Sequence, residues 1–312
     1  MTLAVLSALM RPLVEPQLPP GIEARFYSSP EEMLALAPEA EIGWFDMEDK
    51  APMIEAVRRA GKLRWLNSIF TGLDFLPLDL LAERKVTITH GAGLVAAAVA
   101  DYALMGMLVI AKDYRNVVRA QDRHDWLVQS PGEMELEGTK ALILGYGEIG
   151  RRIAVRLQAF GVETVPVRRS PQAGELGPDD WRSRLGEFDW LILALPSTGE
   201  THAVIGAGEL AAMKSSAVLV NIARGSVVDQ DALVDVLEKR AIAGALLDVT
   251  TPEPLPADHP LWSLDNAHIT MHLSGRAQAT AFQKAAQRFV RNLARYEGGE
   301  PVTPQFDPRL GY

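Results

Sequence analysis

A glycine-rich turn stands directly after a short apolar run in the middle of the sequence. Gly145-Tyr146-Gly147-Glu148-Ile149-Gly150 follows Ala141 to Leu144 and opens an amphipathic stretch that ends near Phe160, with Gly161 as a helix stop. Between a strand and a helix, such glycines permit a tight turn, let the backbone approach a pyrophosphate and allow close helix packing. The helix N-terminus then offers its amides to the anion. The pattern predicts a dinucleotide-binding turn, and the alternative is a tight turn that binds no ligand. The candidate cofactor contacts here are Gly145, Gly147, Glu148, Ile149 and Gly150.

Two arginines and a serine mark the end of the next strand candidate. A domain that selects NAD places Asp or Glu about 20 residues after the glycine turn, where the carboxylate binds the ribose 2′-hydroxyl. This sequence instead reads Arg168-Arg169-Ser170 after Val165 to Val167. Two guanidinium groups and a hydroxyl can bind a 2′-phosphate through charge-assisted hydrogen bonds. We therefore predict NADP(H) as the preferred cofactor, with NAD(H) kept as an alternative. The alternative interpretation is that Arg168 and Arg169 are solvated arginines at a strand end and bind no ligand.

The elements that would position these residues follow the pattern of an α/β protein. Short apolar runs alternate with helix-length amphipathic stretches, which predicts parallel sheets covered by helices on both faces. In the first hundred residues the strand candidates are Leu3–Leu6, Ala24–Tyr27, Ile42–Phe45, Leu63–Ser68 and Val86–Thr89. After a long helical stretch from about Val95 to Arg119, the candidates are Ala141–Leu144, Thr164–Val167, Trp190–Leu195, Ala217–Asn221, Ala243–Leu247 and His268–Thr270.

The length of the chain indicates two domains. A chain of 312 residues exceeds the usual size of one domain, so we expect two Rossmann-like domains with a cleft between them. The second set of strands suits a dinucleotide-binding, doubly wound sheet at residues 96–277. We expect a flavodoxin-like substrate domain at residues 1–95, completed by residues 278–312 if the helical stretch from Gln278 to Tyr296 returns to pack on it.

Several blocks of the sequence resemble the D-isomer-specific 2-hydroxyacid dehydrogenase family. Beyond Gly145–Gly150, they are Asn221-Ile222-Ala223-Arg224-Gly225 with Val228-Asp229, Asp248-Val249 leading to Glu253-Pro254-Leu255-Pro256, and His272 after a strand. Thr71-Gly72-Leu73-Asp74 and Ala98-Val99-Ala100-Asp101 extend the resemblance into the first domain. Arg168, Arg169 and the closing Gly311-Tyr312 look most like the NADP-preferring glyoxylate and hydroxypyruvate reductase-like members.

The resemblance implies a catalytic set of Arg224, Glu253 and His272. The planar guanidinium of Arg224 suits a substrate carboxylate and the polarisation of the neighbouring carbonyl. An imidazole titrates near neutral pH, so His272 can give a proton to the carbonyl oxygen as hydride reaches the carbon. Glu253 can accept a hydrogen bond from the other ring nitrogen and fix the ring. Taken singly, each could instead be a strand-end cap, a loop charge or a buried imidazole.

The resemblance also implies further contacts. The backbone of the loop around Phe70 to Leu73 would receive the substrate carboxylate, and Asp248 would bind the nicotinamide carboxamide. The implied substrate contacts are Phe70, Thr71, Gly72 and Leu73. The additional cofactor contacts are Ser170, Leu195, Pro196, Thr201, Ile222, Ala223 and Asp248. The sequence departs from the family at Met271, where relatives usually carry proline, and at Val95, where many carry asparagine.

Composition excludes other classes of protein. With 40 acidic and 31 basic residues the net charge is -9, so no general positive field exists to bind nucleic acid or an acidic membrane surface. No apolar run reaches the ~20 residues of a membrane helix. The absence of cysteine excludes disulfides and thiolate chemistry and is compatible with a reducing cytoplasm. No metal-binding motif is present, and the five histidines besides His272 are interpreted as structural.

The predicted function is NADPH-dependent reduction of small 2-oxo acids, such as glyoxylate or hydroxypyruvate, to (R)-2-hydroxy acids. One alternative is a nucleotide-sensing binding protein of the same fold. Another is an oxidative D-2-hydroxyacid dehydrogenase that acts on a larger substrate. By resemblance, we expect a cytoplasmic homodimer that associates through the nucleotide-binding domain.

Overall fold

A computed structural model describes residues 1–276 and 279–308. The closing Gly311-Tyr312, part of the sequence resemblance, lies outside the described residues. The chain divides into two compact units, one of Met1–Val95 with Gln278–Tyr312 and the other of Ala96–Ala277. Within the described ranges, no helix is both long and apolar enough to cross a membrane.

The first unit is built on a parallel five-stranded sheet. Its strand order is β2-β1-β3-β4-β5, which is the order of flavodoxin-like sheets. The strands are β1 (Thr2–Ser7), β2 (Ile22–Tyr27), β3 (Ile42–Trp44), β4 (Trp65–Asn67) and β5 (Thr87–Thr89). The helices of its N-terminal part are α1 (Arg11–Val14), α2 (Pro30–Leu36), α3 (Lys50–Arg59) and α4 (Leu78–Glu83).

The second unit contains a parallel six-stranded sheet in the order β11-β10-β9-β8-β6-β7. Its strands are β6 (Lys140–Leu144), β7 (Glu163–Val167), β8 (Trp190–Leu193), β9 (Val218–Asn221), β10 (Gly244–Leu247) and β11 (Ala267–Ile269). Its helices are α5 (Ala96–Ala111), α6 (Tyr114–Asp122), α7 (Glu148–Ala159), α8 (Ala207–Ala212) and α9 (Gln230–Glu238). The strand order reverses between β6 and β8, and ligands of open α/β sheets bind beyond the strand ends at such a switch point.

One further helix, α10 (Ala279–Glu297), belongs to the first unit. Its Phe289 is fully buried, and the ring centroid lies 4.9 Å from that of Trp44 and 5.1 Å from that of Trp65. Because Trp44 and Trp65 lie on β3 and β4, this helix covers one face of the sheet with aromatic contacts.

The predicted α/β architecture with two Rossmann-like sheets is confirmed. The prediction of one long helical stretch from about Val95 to Arg119 is wrong. The stretch is two helices, α5 and α6, separated at Asp113, whose φ of 44° places it in the left-handed region. Aspartate adopts this region more readily than most residues. The apolar periodicity runs on across the break, so the pattern alone did not reveal it.

Candidate active site

The glycine turn has the geometry that a pyrophosphate requires. Gly145 has a φ of +94°, and a Cβ there would lie 2.6 Å from the carbonyl carbon of Ala194. A Cβ on Gly150 would lie 2.1 Å from the carbonyl oxygen of Gly145, so α7 can approach the turn only with glycine at this position. Gly147, in contrast, has open space where its side chain would be. The turn is therefore tight on its protein side and open on the side where a phosphate would approach, so it fits a dinucleotide.

The remaining candidates around this turn are positioned by the neighbouring strand ends. Glu148 starts α7 and pairs with Arg151 on the same helix, while Ile149 is partly buried. Leu195 and Pro196 follow β8. The hydroxyl of Thr201 donates to the carbonyl of Pro196 at 2.7 Å and accepts the amide of Thr198 at 2.8 Å. Thr201 thus closes the loop, and Ile222 and Ala223 lie buried after β9.

The two candidate 2′-phosphate ligands already have carboxylate partners. Arg168 lies 3.4 Å from Glu175, whose side chain is only 10% exposed, and Arg169 lies 2.8 Å from the exposed Glu200. The chain loops back after β7 and Leu176 forms a parallel bridge with Val167, where the amide of Arg168 donates to the carbonyl of Leu176 at 2.9 Å. Ser170 is exposed beside them. Both guanidinium groups therefore lie at the end of β7, and each forms an ion pair with a carboxylate of the protein.

His272 and Glu253 form a direct pair. The Nδ1 atom of His272 lies 2.8 Å from Oε2 of Glu253, and both side chains are nearly two-fifths exposed. Burial raises the pKa of Glu253, but the hydrogen bond and charge of His272, the amide of Thr250 and the charge of Arg224 outweigh it and leave the pKa below its ordinary value. An ionised carboxylate can only accept, so Nδ1 carries the proton and Nε2 is left for another partner.

Arg224 follows β9, the strand next to β10. Asn221 shapes the turn, since its side chain accepts the amide of Ala223 at 3.0 Å and donates to the carbonyl of Arg224 at 2.9 Å. Gly225 lies against the next loop, because a Cβ there would fall 2.1 Å from the carbonyl oxygen of Thr250. This close approach brings Arg224 near enough for its charge to lower the pKa of Glu253. The structure therefore gathers Arg224, Glu253 and His272 at the carboxyl ends of β9, β10 and β11.

Asp248 anchors the loop that carries His272. Its buried carboxylate accepts the hydroxyl of Thr270 at 2.7 Å, the amides of Leu273 and Ser274 at 3.1 and 3.2 Å, and the hydroxyl of Ser274 at 2.5 Å. The carbonyl of Asp248 also accepts the amide of His272. Much of the hydrogen-bonding capacity of Asp248 is therefore used inside the protein. The sequence resemblance did not imply this structural role.

The departure at Met271 has a clear backbone consequence. Met271 and His272 have φ values of +54° and +56°. Proline has φ near −65°, so the family's usual proline could not adopt this backbone. The loop therefore reaches the His272–Glu253 contact through a left-handed conformation that a proline would exclude.

The predicted substrate loop lies in the first unit and is fixed at its base. The amide of Ile69 donates to Asp46 at 2.6 Å, and the carbonyl of Phe70 accepts the amide of Gly91 at 2.7 Å. His90, interpreted as structural from sequence, contacts the carbonyl of Thr71 through Nδ1 at 2.9 Å. Gly72 is partly exposed and Leu73 is buried.

Sequence reasoning missed Asp46 and undervalued His90. The available signal was that each polar residue follows a strand of the same parallel sheet, at the edge where ligands bind. Elsewhere, burial and then the charge of Arg115 lower the pKa of His268, which favours its neutral form. In the part of the chain that the structure describes, no cluster of His, Cys, Asp or Glu side chains is arranged to hold a metal ion.

Comparisons with known proteins identify a matching family model and similar sequences and structures. Residues 103–274 match the family model described as D-isomer specific 2-hydroxyacid dehydrogenase, NAD binding domain. Glyoxylate/hydroxypyruvate reductase B of Pectobacterium carotovorum is 37% identical over 267 residues, covering 81% of this chain and 82% of that protein. A D-isomer specific 2-hydroxyacid dehydrogenase family protein from Aeromonas salmonicida has a TM-score of 0.87 at 28% identity, covering 98% and 99% of the two chains. A D-isomer specific 2-hydroxyacid dehydrogenase from Xanthobacter autotrophicus, solved with NADPH and MES, has a TM-score of 0.79 at 28% identity, covering 100% and 99%.

Proposed function

Because the chain belongs to the D-isomer-specific 2-hydroxyacid dehydrogenase family, whose members are oxidoreductases, we propose that it reduces small 2-oxo acids with NADPH. The products would be 2-hydroxy acids, of (R) configuration where the product is chiral. Glyoxylate and hydroxypyruvate are the proposed substrates, since the similar protein of Pectobacterium carotovorum is named for them. The observation that carries the proposal is the 2.8 Å contact between His272 and Glu253, with Arg224 beside it.

The second unit would hold the cofactor and the first unit would serve as the substrate domain. Gly145, Gly147 and the first turn of α7 would receive the pyrophosphate, and Arg168, Arg169 and Ser170 would receive the 2′-phosphate. When bound, the nicotinamide supplies the hydride. The preference for NADP(H) requires the arginines to exchange Glu175 and Glu200 for the phosphate. A dissociation constant for NADH equal to or lower than that for NADPH would contradict it.

His272 would act as the general acid. Glu253 accepts Nδ1–H, which fixes the ring orientation and directs Nε2 to the reacting carbonyl oxygen. In its protonated form, His272 gives the Nε2 proton to that oxygen as the carbonyl carbon is reduced. The anchored loop beneath it, tied to Asp248, holds the imidazole in place.

Arg224 would bind and orient the substrate. Its planar donor fork matches a carboxylate, and its charge polarises the neighbouring carbonyl group. The proposed contacts in the first unit are the backbone amides of Thr71, Gly72 and Leu73, which would also receive the substrate carboxylate. The amide of Phe70, the fourth predicted contact, instead donates to the hydroxyl of Ser68 at 3.1 Å.

A panel of 2-oxo acids tests this function. Purified protein is mixed with NADPH or NADH and each acid, and loss of cofactor absorbance is followed at steady state. We expect turnover of glyoxylate and hydroxypyruvate, faster at limiting NADPH than at limiting NADH. Binding of NADPH without turnover of any 2-oxo acid would contradict the proposal and favour a nucleotide-sensing protein.

We also propose that the protein forms a homodimer through the second unit. Helix α5 and its surroundings expose apolar side chains, among them Met105 at 44%, Tyr114 at 53% and Trp126 at 93%. Leu104, Leu108 and Tyr114 help line an open groove of about 440 Å³ on this surface. Large exposed apolar side chains and a groove lined mainly by apolar residues are typical of a subunit contact. A cytoplasmic location stays part of the proposal, and the absence of cysteine is compatible with it.

A further inference from the structure

Three polar residues follow three neighbouring strands of the first unit. Asp46 lies two residues after β3, Ser68 directly follows β4, and His90 directly follows β5. These strands are adjacent and parallel, so their carboxyl ends meet at one edge of the sheet. The loop of residues 69–73 leaves β4 at the same edge.

Asp46 binds the start of this loop with both carboxylate oxygens. Oδ2 accepts the amide of Ile69 at 2.6 Å and the indole N–H of Trp44 at 2.8 Å. Oδ1 accepts the hydroxyl of Ser68 at 2.7 Å, and that hydroxyl oxygen accepts the amide of Phe70 at 3.1 Å. Two consecutive loop amides are thus fixed by Asp46, one directly and one through Ser68.

Residues after β5 hold the next part of the loop. Gly91 donates its amide to the carbonyl of Phe70 at 2.7 Å, and its Cβ position would lie 1.8 Å from the carbonyl oxygen of Ile69. Burial lowers the pKa of His90, which favours the neutral imidazole, so its Nδ1–H can donate to the carbonyl of Thr71 at 2.9 Å. The loop is therefore held by residues that follow β3 and by residues that follow β5.

The tip of the loop has backbone amides that are not used in hydrogen bonds to the described part of the protein. Among the residues that the structure describes, no protein acceptor takes the amides of Thr71, Gly72 or Leu73. Consecutive backbone amides without a protein partner can bind a carboxylate, provided that the backbone is held in one conformation. The contacts of Asp46 provide such a constraint at the base of the loop.

Retaining an ionisable group here works against folding. Burial raises the pKa of Asp46 to about 6, although the amide of Ile69 and the side chains of Ser68 and Trp44 lower it in part. Perturbed carboxylates at a strand-end edge occur preferentially at functional sites. Asp46 is not one of the three proposed catalytic residues, Arg224, Glu253 and His272.

We propose that Asp46 is a positioning residue that fixes the loop of residues 69–73 so that its unpaired amides receive the substrate carboxylate. This inference rests on the proposed function for the identity of the ligand. Asp46 touches no reacting atom in this account and acts only through the loop, with Ser68 and His90 in support.

Two substitutions at one position test the hydrogen bonds apart from the charge. Asp46→Ala removes both anchors, whereas Asp46→Asn can accept from Ile69 and Trp44 with its oxygen and donate to Ser68 with its nitrogen. We expect Asp46→Ala to raise the KM for glyoxylate by about tenfold or more, with the KM for NADPH unchanged. Asp46→Asn should restore the KM to within about threefold of wild type. Glu48→Ala, which truncates an exposed neighbouring carboxylate, is the matched control.

The inference is wrong if Asp46→Ala leaves the KM for glyoxylate unchanged, if the KM values for glyoxylate and NADPH rise together, or if Asn fails to rescue. If Asp46→Ala does not fold, Ser68→Ala replaces it, because it removes the link to Phe70. Ser68→Ala should raise the KM for glyoxylate about threefold, and an unchanged value contradicts the inference.

Amide hydrogen exchange separates this inference from the proposed function. If the wild type reduces no 2-oxo acid, the proposed function fails, but the role of Asp46 in fixing the loop can still be measured. Peptides that contain Ile69, Phe70 or Gly91 should exchange their amide hydrogens faster in Asp46→Ala than in Asp46→Asn. In Ser68→Ala, the peptide that contains Phe70 should exchange faster than in Asp46→Asn. Equal exchange in all variants overturns the inference.

Discussion

Replacing Asp46 by asparagine should stabilise the fold at neutral pH and much less in acid. Burial raises the pKa of this carboxyl group from 3.8 to about 6 in the folded protein. The folded state therefore binds the proton more tightly than the unfolded state does. The stability contributed by that proton is fully present below pH ~4 and is lost as the pH rises through about 6. Asparagine has no charge to bury at any of these pH values.

The size of the effect follows from the shift in pKa. A shift of about two units corresponds to about 3 kcal/mol of unfolding free energy at 1.36 kcal/mol per unit, which is an upper bound because the side chain is partly exposed. Part of it is already present at pH 4.5, so the advantage of Asp46→Asn over wild type should grow by about 2 kcal/mol between pH 4.5 and pH 8. Tyr27, whose pKa burial and then the charge of Asp46 raise, stays neutral throughout this range.

Urea titrations followed by tryptophan fluorescence can measure this difference. Wild type, Asp46→Asn and the control Glu48→Gln are unfolded at pH 4.5 and at pH 8, and the midpoints and slopes are compared. Glu48→Gln removes an exposed charge and should differ little from wild type at either pH. If the difference in unfolding free energy between Asp46→Asn and wild type is the same at both pH values, or is smaller at pH 8, then burial of the Asp46 charge does not destabilise the fold.

Three further predictions concern the substrate, the cofactor and the subunit contact. Arg224→Lys keeps the charge but loses the planar fork, so kcat/KM for glyoxylate should fall about 10- to 100-fold in steady-state assays, and an unchanged value would contradict a bidentate role. Arg168→Ala should raise the Kd for NADPH about tenfold or more and leave that for NADH unchanged in fluorescence titrations, whereas Glu175→Gln, which releases Arg168 from its carboxylate, should tighten NADPH. Met105→Asp places a charge on the exposed apolar surface of α5, so the mass measured by light scattering should fall from two chains to one, and a wild type that is already monomeric would refute the proposed contact.

Residue patterns predicted the strands and the glycine turn because these depend on local sequence. Apolar runs followed by Gly145 or by Asn221 identify buried parallel strands and the turns after them, and every strand lies within two residues of its predicted bounds at either end. Helix continuity across Asp113 depends on a single backbone conformation, which the hydrophobic pattern does not report.

The partners of the candidate site residues could not be read from the sequence. The pairing of Arg168 with Glu175 requires the chain to loop back and form a parallel bridge beside β7. The contact of Asp46 with Ile69 joins two separate strand ends. Such contacts depend on how the strands are ordered in the sheet. Likewise, the four hydrogen bonds that the carboxylate of Asp248 accepts depend on the fold, which places the loop of residues 270–274 over it.

His272→Gln shows whether His272 is the proton donor in the reduction of a 2-oxo acid. Glutamine cannot supply an acidic proton, so kcat for glyoxylate with NADPH should fall about 10²- to 10⁴-fold. The Kd for NADPH should stay at the wild-type value, because His272 lies on a different loop from the glycine turn. A His272→Gln protein that keeps the wild-type kcat while binding NADPH normally would contradict the role of His272 as proton donor.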